Sequence, residues 1–516
     1  MNMNLLSANS ILAVEKIQVD PSWVSLVPPL LAIILAIWWK EVISALLVAV
    51  LVGMMLLATN PVHGIIQTID PLILSTVSDV GNVQVILFTM FLGAMIGVMS
   101  GSGGSHALVV RLTKFVQSRR QGQLTTWLLG LAIFFDDYGN TLLVGSTMQP
   151  ITDRLKISRQ KLAYIVDSTA APVAGLALVS TWVAVEVGYL KNTYSLLGLP
   201  TENIYQTFIA TLPYRFYPVL ALIFVGQIIW SRRDFGPMLK AETEAISATP
   251  QRIDSDQDRE HPRRLLEIHA IIPLVVLCAC MGITLSIDFE SSSRALLLSS
   301  FAAAVAVVLS VVISRTATLS ATMTMAIQGM QQMLPAILVL VLAWSIGSIC
   351  DPDHLNTAGY LVNSLGDQLS PHWLPLLTFL LAAITSFATG TSFGTMGLLI
   401  PLCVGIEYEL LSEMQFRTDQ IANHPLMLGT IGAVLGGAIF GDHCSPISDT
   451  TVLSSAATGC EHLSHVKTQL PYALTVAVVA IVIAYLPVAF GVSPYLSILA
   501  AILVQWGVIR ILGKVT

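Results

Sequence analysis

The chain has 516 residues, of which 54% are hydrophobic and only 11% are charged, and its mean hydropathy is +0.76. A soluble domain carries about 25% charged residues. The composition therefore excludes a soluble globular protein and predicts an all-α polytopic membrane protein. The net charge of −6 is small and indicates no particular partner. The six cysteines show no metal-ligand spacing, and we expect no cofactor.

Apolar stretches close to the length of a bilayer crossing recur along the whole chain. They lie at about 23–39, 42–58, 83–110, 161–190, 206–230, 267–287, 295–314, 328–350, 424–458, 469–490 and 494–512. Two further stretches, 123–150 and 373–401, are interrupted by polar segments at 135–141 and 389–395. The sequence therefore predicts about eleven crossings and two broken stretches.

The charges that flank the two broken stretches predict that both are re-entrant hairpins. Basic residues flank the first, such as Arg119 before it and Arg154 after it, which places both of its flanks in the cytoplasm. Acidic residues flank the second, such as Asp367 and Glu413, which places both of its flanks outside. A stretch that enters and leaves on one side does not cross the membrane. The same charges predict an external N-terminus and a cytoplasmic C-terminus.

The two parts of the chain also resemble each other in the order of glycine and proline residues. The matching positions are Ile96-Gly97 with Ile346-Gly347, Gly139 with Gly390, Pro150 with Pro401, and Pro172 with Pro446. Because the flanking charges are opposite, these parts are predicted to be inverted-topology repeats, which are typical of alternating-access transporters. The expected organisation is N-terminal spans at 1–60, a first repeat at 80–230, a solvated, partly disordered cytoplasmic linker at 231–267, a second repeat at 268–460 and C-terminal spans at 461–516.

The polar segment 439–451 follows an almost wholly apolar run. It contains two carboxylates, Asp442 and Asp449, and the imidazole of His443, grouped around Pro446. Pro446 removes a backbone donor and interrupts helical geometry, which frees carbonyl oxygens nearby. Carboxylates at membrane depth are costly and usually mark ion pathways or proton relays. The alternative is a polar loop just outside the membrane.

Arg215 is a charged residue within a predicted crossing. Glu186 is its expected partner, because charges inside membranes usually pair. The alternative is that Arg215 contacts an anionic substrate. The sequence shows no cluster of intramembrane arginines that would hold such a substrate.

Several polar segments resemble those of the NhaC family of Na⁺/H⁺ antiporters. The most specific is Gly441-Asp-His-Cys-Ser-Pro-Ile-Ser-Asp-Thr-Thr-Val-Leu-Ser-Ser455, and similar segments are Phe134-Phe-Asp-Asp-Tyr-Gly-Asn-Thr141, Asp167-Ser-Thr-Ala-Ala-Pro172 and Thr389-Gly-Thr-Ser-Phe-Gly-Thr395. The resemblance extends from about residue 80 to about residue 490. It implies inverted repeats with hairpins and an exchange of Na⁺ for H⁺. Related members exchange small organic acids, such as malate for lactate, together with these ions.

These residues and the resemblance predict a secondary antiporter of a bacterial-type inner membrane that exchanges Na⁺, with Li⁺ also allowed, for H⁺. Carboxylate, amide and hydroxyl oxygens suit a hard cation. The predicted Na⁺ ligands are Asp442, Asp449, Asp137, Asn140, Asp167, Ser445, Ser448, Thr391 and Ser392, and the predicted proton-coupling residues are Asp442, Asp449, Asp136 and His443. The expected partners are the two ions and the lipid bilayer, without nucleic acid and with a homodimer left open.

Three alternatives remain at the level of the sequence. The first is an exchanger of organic acids or amino acids coupled to the same ions. The second is an intramembrane enzyme, which would need a nucleophile–base pair or a metal motif such as His-Glu-x-x-His that the sequence lacks. The third is a channel, which broken helices in inverted repeats disfavour because they imply a gated central site.

Overall fold

The computed structural model describes residues 22–39, 41–58, 60–113, 116–247, 266–287, 292–351, 354–365, 370–446 and 448–516. The side chains of some residues inside helices, including Asp449, also lie outside this description. The described chain is almost wholly helical. Its described strands are β1 (Arg233–Asp234) and β2 (Lys514–Val515), which pair antiparallel with Arg233 opposite Val515.

The helices of the first half are α1 (Val27–Trp39), α2 (Val42–Leu57), α3 (Pro61–Gln67), α4 (Leu74–Ser78), α5 (Val80–Gly101), α6 (Gly104–Thr113), α7 (Arg119–Ala132), α8 (Asp137–Arg154), α9 (Arg159–Ser168), α10 (Ala171–Ala174), α11 (Thr181–Leu196), α12 (Ile204–Thr211), α13 (Phe216–Ser231) and α14 (Gly236–Ser247). Short 3₁₀ turns at Trp23–Leu26 and Leu212–Tyr214 and a π-helical turn at Thr68–Ile73 connect some of them.

The helices of the second half are α15 (Ile268–Ile287), α16 (Ser292–Ile313), α17 (Leu319–Gln332), α18 (Leu334–Cys350), α19 (Thr357–Leu365), α20 (Leu374–Thr389), α21 (Ser392–Glu413), α22 (Thr418–Ile421), α23 (Pro425–Cys444), α24 (Asp449–Thr458), α25 (His462–Val479), α26 (Leu486–Ala489) and α27 (Pro494–Leu512). A π-helical turn at Ala480–Tyr485 joins α25 to α26.

Seven of the described helical segments are long and apolar enough to cross a membrane, and the bent pair α12–α13 makes an eighth if it counts as one span. This confirms the predicted all-α polytopic membrane fold. Helices α1 and α2 have only 13 and 16 residues, which is shorter than the roughly 20 residues that a crossing needs. The stretches predicted as full N-terminal crossings are therefore short helices in the structure.

Both predicted broken stretches form helical hairpins, α7–α8 and α20–α21, but their polar breaks are shorter than predicted. The side chain of Asp136 accepts a hydrogen bond from the Gly139 amide at 2.7 Å, and α8 begins directly after it. Thr391 caps α21 through the Gly394 amide at 3.4 Å. Capping side chains satisfy the first free amides of a helix. Most of the predicted polar residues therefore lie in first helical turns and not in loops.

Two of the stretches predicted as crossings are broken where the sequence contains a proline. The first runs through α9, α10 and α11, with Pro172 at the start of α10. The second runs through α23 and α24, with Pro446 in the interval between them. The later part of each broken crossing packs against the hairpin of the other half. A Cβ atom on Gly145 of α8 would lie 2.8 Å from Ala457 of α24, and the rings of Trp182 in α11 and Phe393 in α21 are 4.9 Å apart.

The second hairpin packs closely on α23. A Cβ atom on Gly441 would lie only 2.5 Å from the Phe387 amide nitrogen, so this position of α23 has no room for a side chain. In the same contact, the Ser386 hydroxyl donates a hydrogen bond to the carbonyl of Ala438 at 2.6 Å. This packing places the end of α23, with Asp442, against the end of α20.

The predicted pairing of Arg215 with Glu186 is confirmed. Both side chains are fully buried, and the guanidinium contacts the carboxylate at 2.6 Å. Arg215 also donates to the Thr211 hydroxyl and to the carbonyl of Gly175. The pair lies at the junction of α12 and α13, where the crossing bends by 53°. The sequence pattern did not indicate this bend.

The segment 231–267, predicted as a solvated linker, is partly structured. It begins with β1 and α14, and its residues 248–265 lie outside the described part of the chain. In α14 the Glu242 carboxylate is fully buried, and it accepts hydrogen bonds from Arg119 at 2.6 Å and from the Ser158 amide at 2.8 Å. Because this segment carries many charges, the sequence did not indicate that α14 has a short buried face. As a result, α14 connects the start of the first hairpin to the start of α9.

Asp234 of β1 is the centre of a second buried polar cluster. Its carboxylate pairs with Lys161 of α9 and accepts hydrogen bonds from Tyr472 at 2.6 Å and from Thr516 at 2.9 Å. Burial alone would raise the pKa of the Asp234 carboxyl, but the Lys161 ammonium and these hydrogen bonds bring it below its usual value. The cluster therefore joins α9 and α25 to the strand pair.

We expect Asp234→Asn to destabilise the protein at neutral pH by roughly 3–5 kcal/mol, because Lys161 would remain as a buried charge without a partner. The pKa of Asp234 is lower in the folded state, so the carboxylate stabilises the fold above its unfolded pKa and loses this effect as the pH falls through the folded pKa. The stability difference between wild type and variant should be constant above about pH 4 and shrink below it. Thermal unfolding of the purified protein at several pH values measures this difference.

The matched control is Asp419→Asn, because Asp419 lies in an exposed surface pair with Arg417. This variant should unfold like wild type at every pH, since exposed pairs contribute little. A stability difference for Asp234→Asn that is absent at pH 7, or that grows on acidification, would contradict the buried pairing.

Candidate functional site

Asp442 lies in the last turn of α23, with only 1% of its surface exposed. Its carboxylate accepts hydrogen bonds from the hydroxyls of Ser448, at 2.5 Å, and Thr450, at 3.2 Å. Both hydroxyls belong to the chain that follows the Pro446 break. The break therefore folds its own hydroxyl groups back onto the carboxylate.

Asp167 occupies the corresponding place in the first half, in the last turn of α9. Its carboxylate accepts a hydrogen bond from the Gln469 side-chain amide at 2.6 Å and lies 3.2 Å from His465 Nε2. The Thr451 hydroxyl donates to the same oxygen at 3.3 Å. Three polar side chains from the second half thus surround a carboxylate of the first half.

The two carboxylates belong to one buried hydrogen-bond network. The Thr451 hydroxyl lies 3.3 Å from both the Asp167 carboxylate and the Asp442 carbonyl, and Gln469 donates to Asp167 and to the His443 carbonyl. The His443 ring lies between the hydroxyls of Ser168, at 2.9 Å, and Tyr217, at 2.7 Å. We name this set the break network; its members are Asp167, Ser168, Tyr217, Asp442, His443, Ser448, Thr450, Thr451, His465 and Gln469.

The side-chain amides of Asn140 and Gln469 each have a buried oxygen for which the described structure shows no hydrogen-bond partner. The amide nitrogen of Asn140 donates to the carbonyls of Gly130 at 2.7 Å, Ile133 at 3.0 Å and Thr169 at 2.9 Å, which fixes its orientation and leaves Oδ1 unpaired. The amide nitrogen of Gln469 donates to the Asp167 carboxylate and to the His443 carbonyl, which leaves Oε1 unpaired. A buried acceptor without a donor is costly. A cation or a water molecule would satisfy either oxygen.

A cavity of about 250 Å³ lies at the tips of the two hairpins. We name it the tip cavity. Asp136, Asp137 and Tyr138 line it from the first hairpin, and Thr391 and Phe393 line it from the second. Further walls come from the starts of α2 and α18 and from α5 and α11. The exposed lining residues Glu41, Gln332 and Pro335 form its rim, whereas Asp136 and Asp137 are both 2% exposed.

The structure divides the predicted site residues between these two places. Asp442, Asp167, Ser448 and His443 lie in the break network, and Asp136, Asp137 and Thr391 line the tip cavity. Three others bond to main-chain carbonyls: Asn140 as described, Ser392 to Ala438 at 3.3 Å and Ser445 to Phe387 at 2.7 Å. Asp449 is the first residue of α24, and its side chain lies outside the described part of the structure. The sequence predicted one site for all of them.

Sequence reasoning missed His465 and Gln469 of α25 and Glu41 at the rim of the tip cavity. The predicted crossing began only at residue 469, so the residues before it were assigned to a loop. His465 and Gln469 are four residues apart and therefore share one helix face. That spacing was the available signal. Glu41 directly precedes α2 and offered no such pattern.

No three His, Cys, Asp or Glu side chains in the described ranges are grouped as ligands of a metal ion would be. The break network instead combines two carboxylates with several hydroxyl and amide groups. Neutral oxygens around few charges are ligands that hard monovalent cations accept.

The comparison with known families identifies the family of this chain. The model of the Na⁺/H⁺ antiporter family matches residues 173–490, which is more than half of the chain. The chain belongs to the Na⁺/H⁺ antiporter family. The family match includes the end of α23 and all of α24 and α25, and therefore most of the break network.

Relatives of this antiporter family member match it over different lengths. An uncharacterized protein of Haemophilus influenzae is 30% identical over 501 residues, which cover 93% of each chain. The malate-2H⁺/Na⁺-lactate antiporter of Bacillus subtilis is 35% identical over 150 residues, or 28% of each chain. The Na⁺/H⁺ antiporter NhaC of Alkalihalophilus pseudofirmus is 32% identical over 99 residues, or 19% of each chain. The predicted resemblance to the NhaC family is thus confirmed.

The fold is similar to that of a solved membrane transporter. The YdaH transporter of Alcanivorax borkumensis superposes with a TM-score of 0.57, covering 94% of this chain and 98% of that one. The two sequences are only 14% identical. At this identity the likeness concerns the fold alone, which is that of a membrane transporter.

Proposed function

We propose that this protein is a secondary antiporter that exchanges Na⁺ for H⁺ across a cell inner membrane by alternating access. The observation that supports this most directly is the meeting of Asp167 and Asp442, from the two broken crossings, in one buried network. Carboxylates at membrane depth mark ion pathways, and broken helices form the central sites of such transporters. The proposed cycle needs no resident cofactor.

We assign Na⁺ to Asp442, with the hydroxyls of Ser448 and Thr450 as neutral oxygen ligands. Both hydroxyls donate to the carboxylate, and rotation about their C–O bonds would direct oxygen lone pairs to a bound cation. Asp167 provides the second carboxylate. We also keep Asp449 in the proposed set, because it directly follows Ser448 in the chain.

The other predicted residues have separate roles in this proposal. Asp136, Asp137 and Thr391 line the tip cavity, which has an exposed rim and would bring ions toward the breaks. Asn140 offers its unpaired oxygen to a cation. Ser392 and Ser445 would hold the main chain around the site through their hydrogen bonds to carbonyls, and His443 would hold the hydroxyls of Ser168 and Tyr217.

Coupling of the two ions gives a direct test of this function. A protonated carboxylate lacks the charge that holds Na⁺, so Na⁺ and H⁺ compete if they share Asp442. We expect the apparent Na⁺ affinity to weaken by about tenfold per pH unit on the acidic side of the carboxylate titration. Proton movement driven by a Na⁺ gradient in proteoliposomes, measured over a range of pH and Na⁺ concentrations, gives this dependence.

A second candidate function is suggested by the relative from Bacillus subtilis, which is a malate-2H⁺/Na⁺-lactate antiporter. The same proteoliposomes, with and without malate or lactate, distinguish the two. Proton movement with Na⁺ alone supports ion exchange. A strict requirement for an organic acid, or for an amino acid, would replace the first proposal by the second.

The proposed orientation places the N-terminus outside and the C-terminus in the cytoplasm. In a variant without native cysteines, we expect Arg154→Cys to react with an impermeant thiol reagent only from the cytoplasm and Glu413→Cys only from outside. Both side chains are exposed and lie at the far end of a hairpin. Labelling of intact cells and of inverted vesicles measures this. Reaction of both from one side would contradict the opposite orientation of the two hairpins.

A further inference from the structure

The tip cavity is larger than a Na⁺ ion requires. Its volume is about 250 Å³, and one water molecule in the liquid takes about 30 Å³. The cavity therefore has space for roughly eight groups of the size of a water molecule. A dehydrated Na⁺ ion would leave most of it unfilled. A hydrated ion or a small organic molecule would fill it.

The charge of the lining favours a cation. Asp136 and Asp137 lie at the deep end, and Glu41 lies at the rim. Glu41 and Asp136 accept hydrogen bonds from nearby backbone amides, at 2.6–2.9 Å, which hold their carboxylates in place. None of the described lining residues is Lys, Arg or His. Among these described lining residues an anion would meet carboxylates and no cationic side chain, which disfavours its binding.

The remaining walls distinguish an organic cation from a hydrated metal ion. Besides the carboxylates, apolar side chains line the cavity: Val42, Ile43, Val185, Met333 and Val339. Such walls offer no hydrogen bonds to the water shell of an ion. They can cover a hydrocarbon chain, and each buried methylene strengthens binding roughly fourfold, or about 0.8 kcal/mol.

The polar groups near the carboxylates suit an ammonium group. Hydroxyls of Thr89, Thr181, Thr389 and Thr391 line the cavity and can accept hydrogen bonds from N–H donors. The Tyr138 ring is a further lining group, and aromatic faces attract ammonium ions. The lining thus combines groups that match a charged amine with groups that match a short alkyl chain.

We propose that the tip cavity binds a small primary alkylammonium ion, with its ammonium at Asp136 and Asp137 and its alkyl chain against Met333 and Val339. This goes beyond the exchange of Na⁺ and H⁺, which we assign to the break network. The two sites use different groups: of the described carboxylates and hydroxyls assigned to Na⁺, none lines the cavity.

Direct binding of probes that differ only in charge tests the proposal. The full-length protein in detergent is titrated with butylammonium, butyrate and 1-butanol at constant ionic strength and Na⁺ concentration, by calorimetry and thermal unfolding. Of these three compounds, we expect only butylammonium to bind the protein and to raise its unfolding temperature. Affinity should rise roughly fourfold per methylene from ethylammonium to butylammonium. Binding of butyrate, or equal binding of the whole ammonium series, would overturn the proposal.

Two variants locate the site. Asp137→Asn should weaken butylammonium binding about tenfold or more. Val339→Phe keeps the carboxylates and fills space among the apolar side chains, so the affinity should no longer rise with the length of the alkyl chain. Asp442→Asn is the matched control in the break network and should bind butylammonium like wild type. Unchanged binding in both cavity variants would overturn the proposal. Thermal unfolding without amine shows whether each variant is folded.

The outcome is independent of the proposed antiport. Proteoliposomes report Na⁺-driven proton movement, and titration in detergent reports amine binding. Exchange without amine binding overturns only the cavity proposal. Amine binding without exchange overturns only the antiport.

Discussion

Asp442→Asn is expected to lower Na⁺-driven proton movement at least about a hundredfold, which corresponds to roughly 3 kcal/mol. The amide is nearly isosteric with the carboxylate and can still accept a hydrogen bond from Ser448 or Thr450. It carries no charge to hold Na⁺ and does not take up a proton at physiological pH. The variant should therefore insert and fold, and yet it should not exchange ions. Proton flux in proteoliposomes with matched protein content measures the effect.

The control for this experiment is Asp419→Asn, which also removes one carboxylate but at an exposed position. It should exchange ions at the wild-type rate. If Asp442→Asn keeps normal exchange with an unchanged dependence on pH, Asp442 does not carry the ions, and Asp136, Asp137 and Asp167 are the next candidates.

Arg215→Met is expected to destabilise the fold by roughly 3–5 kcal/mol, because it leaves the Glu186 carboxylate buried without its partner. The same substitution removes the hydrogen bonds to Thr211 and to the Gly175 carbonyl. Replacing both partners, as in Glu186→Leu with Arg215→Met, should restore much of the lost stability. Thermal unfolding of wild type, single variants and the double variant measures the coupling.

Arg417→Met serves as the control, since Arg417 is largely exposed and its pair with Asp419 lies at the surface. It should leave the unfolding temperature nearly unchanged. A stable Arg215→Met variant that has lost transport would contradict the structural role. It would instead support contact between Arg215 and an anionic substrate.

The features that could be predicted from the sequence have local causes. A carboxylate and a proline within an apolar run, as at Asp442 and Pro446, signal a broken crossing without any knowledge of neighbours. The glycine- and threonine-containing interruptions of the two hairpins are local in the same way. The exact restart of each helix was not predicted, because it depends on whether Asp136 and Thr391 cap the following turn.

The composition of the site could not be predicted in the same way, because it depends on contacts between distant segments. Asp167 and Gln469 are 302 positions apart and meet at 2.6 Å. Glu41 reaches the tip cavity because Val42 packs on Gly394, where an added Cβ would lie 2.6 Å away. Polar residues of both hairpins were expected in one site. Their division between the break network and the tip cavity follows from packing that no single segment encodes.

The later parts of the broken crossings, α11 and α24, each lie against the hairpin of the opposite half. The two halves are therefore interlocked, as in a domain-swapped dimer joined into one chain. Neither half alone can cover its own hairpin: the first would lack α24 beside Gly145, and the second would lack Trp182 beside Phe393. A chain divided within residues 248–265 should consequently yield two fragments that need each other to fold. During synthesis, nearly three hundred further residues must be added after the first hairpin before α24, its packing partner, is made.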